Sequence, residues 1–333
     1  MESVVHERRK DPPGRPLRRR LTILVLLIAL GAGLWQLDWT RQNTEILWRA
    51  LTGRYWHLRG QERTRQVFSP ALNQTRTVLV YTPPGYDTPA NVNKRYPVLY
   101  LLHGSPDDGD GWERYGHASE LVDEMIVKHE IPPLLVVCPD GRGDGRFGDS
   151  EYIDAPSVDG HPGLRIAIWL THDLVAWTDA HYHTIPAARG RLLGGISEGG
   201  YGAVNLGLQH PKTFGSLIAL SGYYTADDAG WARPVWGQHP DPARLRAESP
   251  QSYVVGPDPR WKNTFVYLGD GAGDHDWYRR QTAAFAARLQ AAGIASASRT
   301  APGRHSWDLW RGLLTDALHT LNAEHRIPEA PGD

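Results

Sequence analysis

The stretch Arg191-Leu192-Leu193-Gly194-Gly195-Ile196-Ser197-Glu198-Gly199-Gly200-Tyr201-Gly202 reads as a short apolar strand, a glycine-lined turn and the start of a helix. Within it, Gly195 to Gly199 form a Gly-x-Ser-x-Gly elbow. A serine at a sharp strand-to-helix corner crowds its own backbone, and side chains two residues to either side would collide. Glycine at both places removes the collision and leaves the Ser197 hydroxyl exposed. Leu192 and Leu193 lead in as a buried parallel strand would, and Tyr201, Ala203, Val204, Leu206 and Leu208 continue as a helix ending near His210-Pro211.

An activated serine needs a base, and the base needs an orienting carboxylate. Downstream, Thr264-Phe265-Val266-Tyr267-Leu268 reads as a strand opening into the acidic loop Gly269-Asp270-Gly271-Ala272-Gly273-Asp274-His275-Asp276. A helix is expected over about 278–292, then Pro302-Gly303-Arg304-His305-Ser306-Trp307 and a last helix bearing Leu309, Leu313, Leu314 and Leu318. Serine, acid after a late strand, and histidine before the final helix follow the chain order of α/β-hydrolases.

At these residues the chain resembles the esterase family of α/β-hydrolases that includes S-formylglutathione hydrolases, feruloyl and enterochelin esterases, and mycobacterial mycolyltransferases. The resemblance covers roughly residues 76–322. It rests on Tyr100-Leu101-Leu102-His103-Gly104, Cys138-Pro139-Asp140-Gly141, the run at 195–203, His210-Pro211, Leu220-Ser221-Gly222 and His305-Ser306-Trp307. It implies Ser197 as nucleophile and His305 as general base. The acid stays open: Asp274 fits a Gly-x-x-Asp pattern after the strand, Asp276 fits the distance to the following helix, and Asp270 is a third choice. The fold implied is a mostly parallel central sheet with helices on both faces. The activity implied is hydrolysis of carboxylic esters through an acyl-enzyme, with no cofactor and no metal. Acyl transfer by the same triad, and a non-catalytic surface module on the same fold, are the alternatives.

Chain geometry points to an oxyanion hole. One donor is the backbone N–H of Glu198, at the positive end of the elbow helix. The other comes from the loop His103-Gly104-Ser105-Pro106, where Pro106 has no N–H to give. That leaves Gly104 or Ser105, with Ser105 preferred because it lies further out of the strand. His103 is expected to shape this loop. Glu198 either biases the pocket against anions or contacts solvent.

Formal net charge is −1, which gives no electrostatic footprint for nucleic acid. The lone Cys138 lies in an apolar run and reads as a small buried hydrophobe, and one cysteine permits no intrachain disulfide. The acidic loops fit solvated turns and match no calcium-loop pattern.

Composition divides the chain into a basic cytoplasmic arm over 1–20, an apolar segment over 21–39, a connector over 40–65, an esterase domain over 66–325 and a tail over 326–333. Residues 21–35 carry no charge and follow Arg8, Arg9, Lys10, Arg15, Arg18, Arg19 and Arg20. That run is intermediate between a signal-peptide core of about 7 to 15 residues and a span of about 20. Trp35 and Trp39 at its distal end, and the lack of an Ala-x-Ala site, favour an uncleaved signal anchor with the hydrolase outside the cytoplasm. Secretion after cleavage is the alternative. Strands are expected over 77–82, 97–102, 134–138, 216–220 and 295–299, and helices over 118–129 and 164–182. Two long loops, 140–163 and 222–262, read as lids or binding loops. Tyr223, Tyr224, Trp231 and Trp236 in the second are expected to line an acyl or aryl pocket.

Overall fold

The computed structural model describes residues 59–143, 148–155, 163–226, 233–236 and 239–329. The apolar segment expected to be a signal anchor lies outside the described residues. Among those described, no helix is long and apolar enough to cross a membrane.

One sheet of eight strands runs through the unit, in the order β1-β2-β4-β3-β5-β6-β7-β8. β1 (Gln61–Ser69) and β2 (Gln74–Thr82) form an antiparallel hairpin, and β2 also pairs antiparallel with β4 (Leu135–Pro139). β3 (Val98–Leu102), β4, β5 (Arg191–Ile196), β6 (Ser216–Leu220), β7 (Phe265–Gly271) and β8 (Ala295–Ala301) are parallel. The central strands read as unbroken apolar runs because both of their faces are covered.

Alternation divides their side chains between two cores. Val98, Tyr100, Leu135, Val137, Leu193, Leu217 and Val266 point into one. Leu99, Leu101, Val136, Cys138, Leu192, Ile218 and Tyr267 point into the other. Helices α2 (Leu174–His181), α3 (Glu198–Gln209) and α4 (Asp276–Ala291) cover the first face, and α1 (Ala118–Val127) and α5 (Trp307–Ala323) cover the second. The sheet is therefore mixed at one edge and parallel elsewhere.

Two expectations change. β1 begins at Gln61, inside the stretch assigned to a connector, so the folded unit starts earlier than residue 66. Its leading residues are exposed and polar, which hides the strand from an apolar pattern. The segment over 222–262 is not a bare loop: it holds short helices at Arg233–Trp236, Pro242–Ala247 and Pro250–Tyr253. The last of these adjoins α3, where the Tyr253 hydroxyl donates to Asn205 Oδ1 at 3.1 Å.

The elbow is where the two layers are locked. Ser197 adopts φ 52° and ψ −118°, a region non-glycine residues rarely occupy. A Cβ on Gly195 would overlap the Gly199 backbone, and one on Gly199 would strike the carbonyl groups of Leu102 and His103. Since those are backbone atoms of α3, of β3 and of the loop after it, no side-chain rotation relieves the clash. Gly199→Ala is therefore expected to lower stability by about 1–3 kcal/mol, read as a shift of the denaturant midpoint. An unchanged midpoint would mean that β3 and the elbow do not meet as described.

Candidate active site

Ser197 stands between β5 and α3, with its N–H donating to the Leu220 carbonyl at 2.9 Å. Glu198 is the first residue of α3, so its N–H has no partner within the helix. Register in the parallel sheet puts Leu102 beside Gly195, which carries the loop after β3 to the elbow. A Cβ on Gly104 would meet that of Ser197 at 3.3 Å, so the backbone of this loop runs close against the serine. Ser105 is exposed one residue further out.

His103 holds this loop in place. It is buried, and its Nε2 accepts from Gly141 N–H at 3.1 Å. That assigns the ring proton to Nδ1, which donates to the Gly104 carbonyl at 3.1 Å. Burial holds its pKa below the usual imidazole range, so the ring is neutral. The Tyr152 hydroxyl adds a bond to the His103 carbonyl at 2.6 Å.

Of the three candidate acids, Asp274 is the one placed against His305, with Oδ1 at 3.3 Å from Nδ1. The spacing is longer than a tight charge-assisted bond, as sites without substrate often are. Its other oxygen accepts from Ser221 Oγ at 2.6 Å and Gly271 N–H at 3.0 Å. Trp310 Nε1 in turn donates to Ser221 Oγ at 3.0 Å. Burial raises the Asp274 pKa, but the facing His305 and the hydrogen bonds from Ser221 and Gly271 outweigh it and hold the carboxyl below the ordinary value. Asp276 is exposed at the start of α4 and pairs with Arg279 at 3.1 Å. Asp270 lies within β7 opposite Thr300, buried beside Asp274, and its pKa is raised chiefly by that burial.

Tyr278 stacks its ring on His305 at 4.6 Å between centroids. Trp310 meets His305 edge-on at 4.8 Å, and Trp307 packs on Trp310 at 5.3 Å. Ser221, Tyr278, Trp307 and Trp310 were not assigned by sequence reasoning. Ser221 carried a signal, since Leu220-Ser221-Gly222 closes the strand beside the elbow.

Glu198 corrects an expectation. It neither reaches solvent nor faces the pocket as a free charge. It is buried, and its Oε1 accepts from Ser150 N–H at 3.1 Å and Glu151 N–H at 3.0 Å. Asp149 and Glu151 are buried with it. Burial first, then repulsion from Asp149 and Glu151, pushes the Glu198 pKa well above the ordinary range and favours its protonated form.

The expected pocket aromatics also change. Tyr223 stacks on Tyr201 at 4.8 Å and donates to Glu151 Oε2 at 2.7 Å. Tyr224 stacks on Phe285 at 4.3 Å inside the core, and Trp236 is buried with Ile153 and Tyr201. These three fill the interior and do not line an open pocket. Trp231 lies outside the described residues. Burial pushes the Cys138 thiol well above its usual pKa, which leaves it inert as a nucleophile. No group of three or more potential ligands among the described residues is arranged to hold a metal ion.

The sequence profile of the Esterase family matches residues 69–321, and the chain belongs to that family. It is 28% identical over 286 residues to Esterase Rv1288 of Mycobacterium tuberculosis, covering 76% of this chain and 56% of that protein. It is 29% identical over 157 residues to an endo-1,4-beta-xylanase/feruloyl esterase of Xylanibacter ruminicola, covering 46% of this chain and 20% of that one. The chain spans between 20% and 62% of the length of the first curated relatives it matches. Among solved structures, a ferulic acid esterase superposes with a TM-score of 0.68 at 23% identity, over 80% of this chain and 98% of that one. An S-formylglutathione hydrolase from Agrobacterium tumefaciens gives 0.64 at 20% identity, over 80% and 95%. These likenesses establish the α/β-hydrolase fold.

The buried acids make stability depend on pH. A carboxyl whose folded pKa is raised stabilises the fold below its unfolded value, and that contribution is lost as pH climbs through the folded one. Between about pH 5 and pH 9 the thermal midpoint is expected to fall. The fall should be shallower in Glu198→Gln, which keeps the acceptor and removes the titrating proton. Equal slopes in both proteins would show that Glu198 is not titrating there.

Proposed function

We propose that this chain is a serine-dependent carboxylic ester hydrolase in which Ser197 is the nucleophile, His305 the general base and Asp274 the orienting acid. The observation that carries the reading is the placement of Asp274 against His305 Nδ1, together with the strained elbow that holds Ser197. Holding Nδ1 on the carboxylate leaves Nε2 to take the Ser197 proton. Ser197 Oγ then attacks the ester carbonyl carbon, and the oxyanion is received by the N–H of Glu198 and by that of Gly104 or Ser105. Collapse expels the alcohol, which takes the proton from His305. Water repeats the sequence on the acyl-enzyme and releases the acid.

The substrate class is a small-molecule or lipid/glycan ester, presented outside the cytoplasm from an N-terminal membrane anchor. Partly exposed Trp277, Tyr278 and Trp307, with exposed Tyr115 beyond them, form an apolar border near His305 suited to an acyl or aryl group. The anchor rests on the uncharged run over 21–35 behind its arginine-rich arm. Alkaline phosphatase fused to the C-terminus is expected to be active in cells. An inactive fusion with a fully soluble chain would remove the anchor.

Ser197→Ala is expected to reduce ester turnover by several orders of magnitude without loss of folding. Asp274→Asn should cost roughly 10³ to 10⁴ in kcat, because the imidazole loses its tautomer and its charge partner, while Asp276→Asn costs little. Equal mild losses from both aspartate variants would place the acid elsewhere. Adding glycerol to the same assay separates hydrolysis, which yields free acid, from transfer to an alcohol.

A further inference from the structure

Ser221 directly follows β6 and is tied to the frames of both the nucleophile and the acid. The residue before it, Leu220, accepts the Ser197 N–H at 2.9 Å, and the Ser221 N–H donates to the Gly269 carbonyl of β7 at 2.7 Å. Ser221 is wholly buried at φ 51°, a left-handed conformation in which glycine would be free of strain. Glycine could not supply the hydroxyl. That hydroxyl stands between two side chains, with Trp310 Nε1 at 3.0 Å and Asp274 Oδ2 at 2.6 Å from Oγ.

Chemistry fixes the direction of these bonds. An indole N–H can only donate, so Ser221 Oγ accepts from Trp310 and its one proton is left for Asp274. The Gly271 N–H, also a donor only, reaches the same carboxylate oxygen at 3.0 Å. Oδ2 thus receives two donors. Oδ1 is buried, makes no hydrogen bond of its own, and is the oxygen turned to His305 Nδ1 at 3.3 Å. Trp310 also meets the His305 ring edge-on at 4.8 Å, so one indole both borders the base and aims the hydroxyl that holds the acid.

We propose that Ser221 is a positioning residue for the ester cleavage proposed above: its hydroxyl, aimed by Trp310, fixes the Asp274 carboxylate in the rotation that presents Oδ1 to His305. Without that hydroxyl Oδ2 keeps only the Gly271 bond, and the carboxylate can turn about its Cβ–Cγ bond. Ser221 touches no substrate and exchanges no proton in the reaction. Its whole effect passes through Asp274.

That route makes the test a double-mutant cycle, with p-nitrophenyl butanoate as substrate. Ser221→Ala keeps the Cβ and removes only the hydroxyl. With Asp274 in place it is expected to lower kcat/KM by about 10- to 100-fold, the range of one hydrogen bond to a charged group. In the Asp274→Ala background no carboxylate is left to hold, and the same substitution is expected to cost less than about 2-fold. Ser221→Gly, which relaxes the backbone, should show the same loss and the same cancellation. A loss that comes from misfolding or disturbed packing is carried into both backgrounds. Equal losses in the two therefore overturn the proposal, as does full activity of both Ser221 variants with Asp274 in place. A mild effect of Asp274→Ala by itself would remove Asp274 from the triad, and with it the reading of the site on which the proposal rests.

Discussion

The structure depends on one backbone contact: the elbow after β5 presses directly on the end of β3. Ser197 is held in a left-handed conformation, and Gly199 lies so close to the Leu102 and His103 carbonyls that no side chain fits between. The consequences spread outward from there. The first N–H of α3 is left without a partner inside the helix, and Gly104 is brought against Ser197. Strain of this kind costs of order 1–3 kcal/mol and persists only where the surroundings over-determine it. Here they do so from both faces of the sheet, through α3 on one side and the Trp112 bond to the Leu102 carbonyl on the other.

Two polar networks flank that contact, and their opposite electrostatics are instructive. Behind His305, the Asp274 carboxyl is held below its ordinary pKa because Ser221 and Gly271 hydrogen-bond one oxygen while His305 faces the other. Behind the start of the elbow helix, burial of Asp149, Glu151 and Glu198 favours their protonated forms, reinforced by repulsion among them at Glu151 and Glu198. Two backbone N–H bonds to Glu198 tie the loop over 149–151 to that helix. In the proposed mechanism, a protonated Glu198 keeps full negative charge away from the developing oxyanion.

Most of the sheet was legible because central parallel strands are buried on both faces and leave continuous apolar runs, as in Val98–Leu102 and Leu135–Pro139. The elbow was legible for a steric reason that the geometry of Gly195 and Gly199 bears out. β1 was not, because an edge strand with exposed Gln61, Glu62 and Arg63 lacks that signal. Spacing alone left Asp274, Asp276 and Asp270 open, since they differ by a turn of backbone whose direction local sequence does not encode. Glu198 was misread for a related reason: an acid at the start of a helix normally faces water, and only the distant loop over 149–151 buries it. Tyr223 and Tyr224 had the composition of a pocket lining, but long-range stacking on Tyr201 and Phe285 takes them inward.

The central claim is that the strained serine forms a covalent bond to the substrate acyl group. Rapid acid quench during turnover of a p-nitrophenyl ester, followed by peptide mass spectrometry, tests it most directly. The acyl mass is expected on the peptide containing Ser197 and on no other. An acyl group found on a different residue, or steady turnover with no acylated peptide at any quench time, would contradict the account.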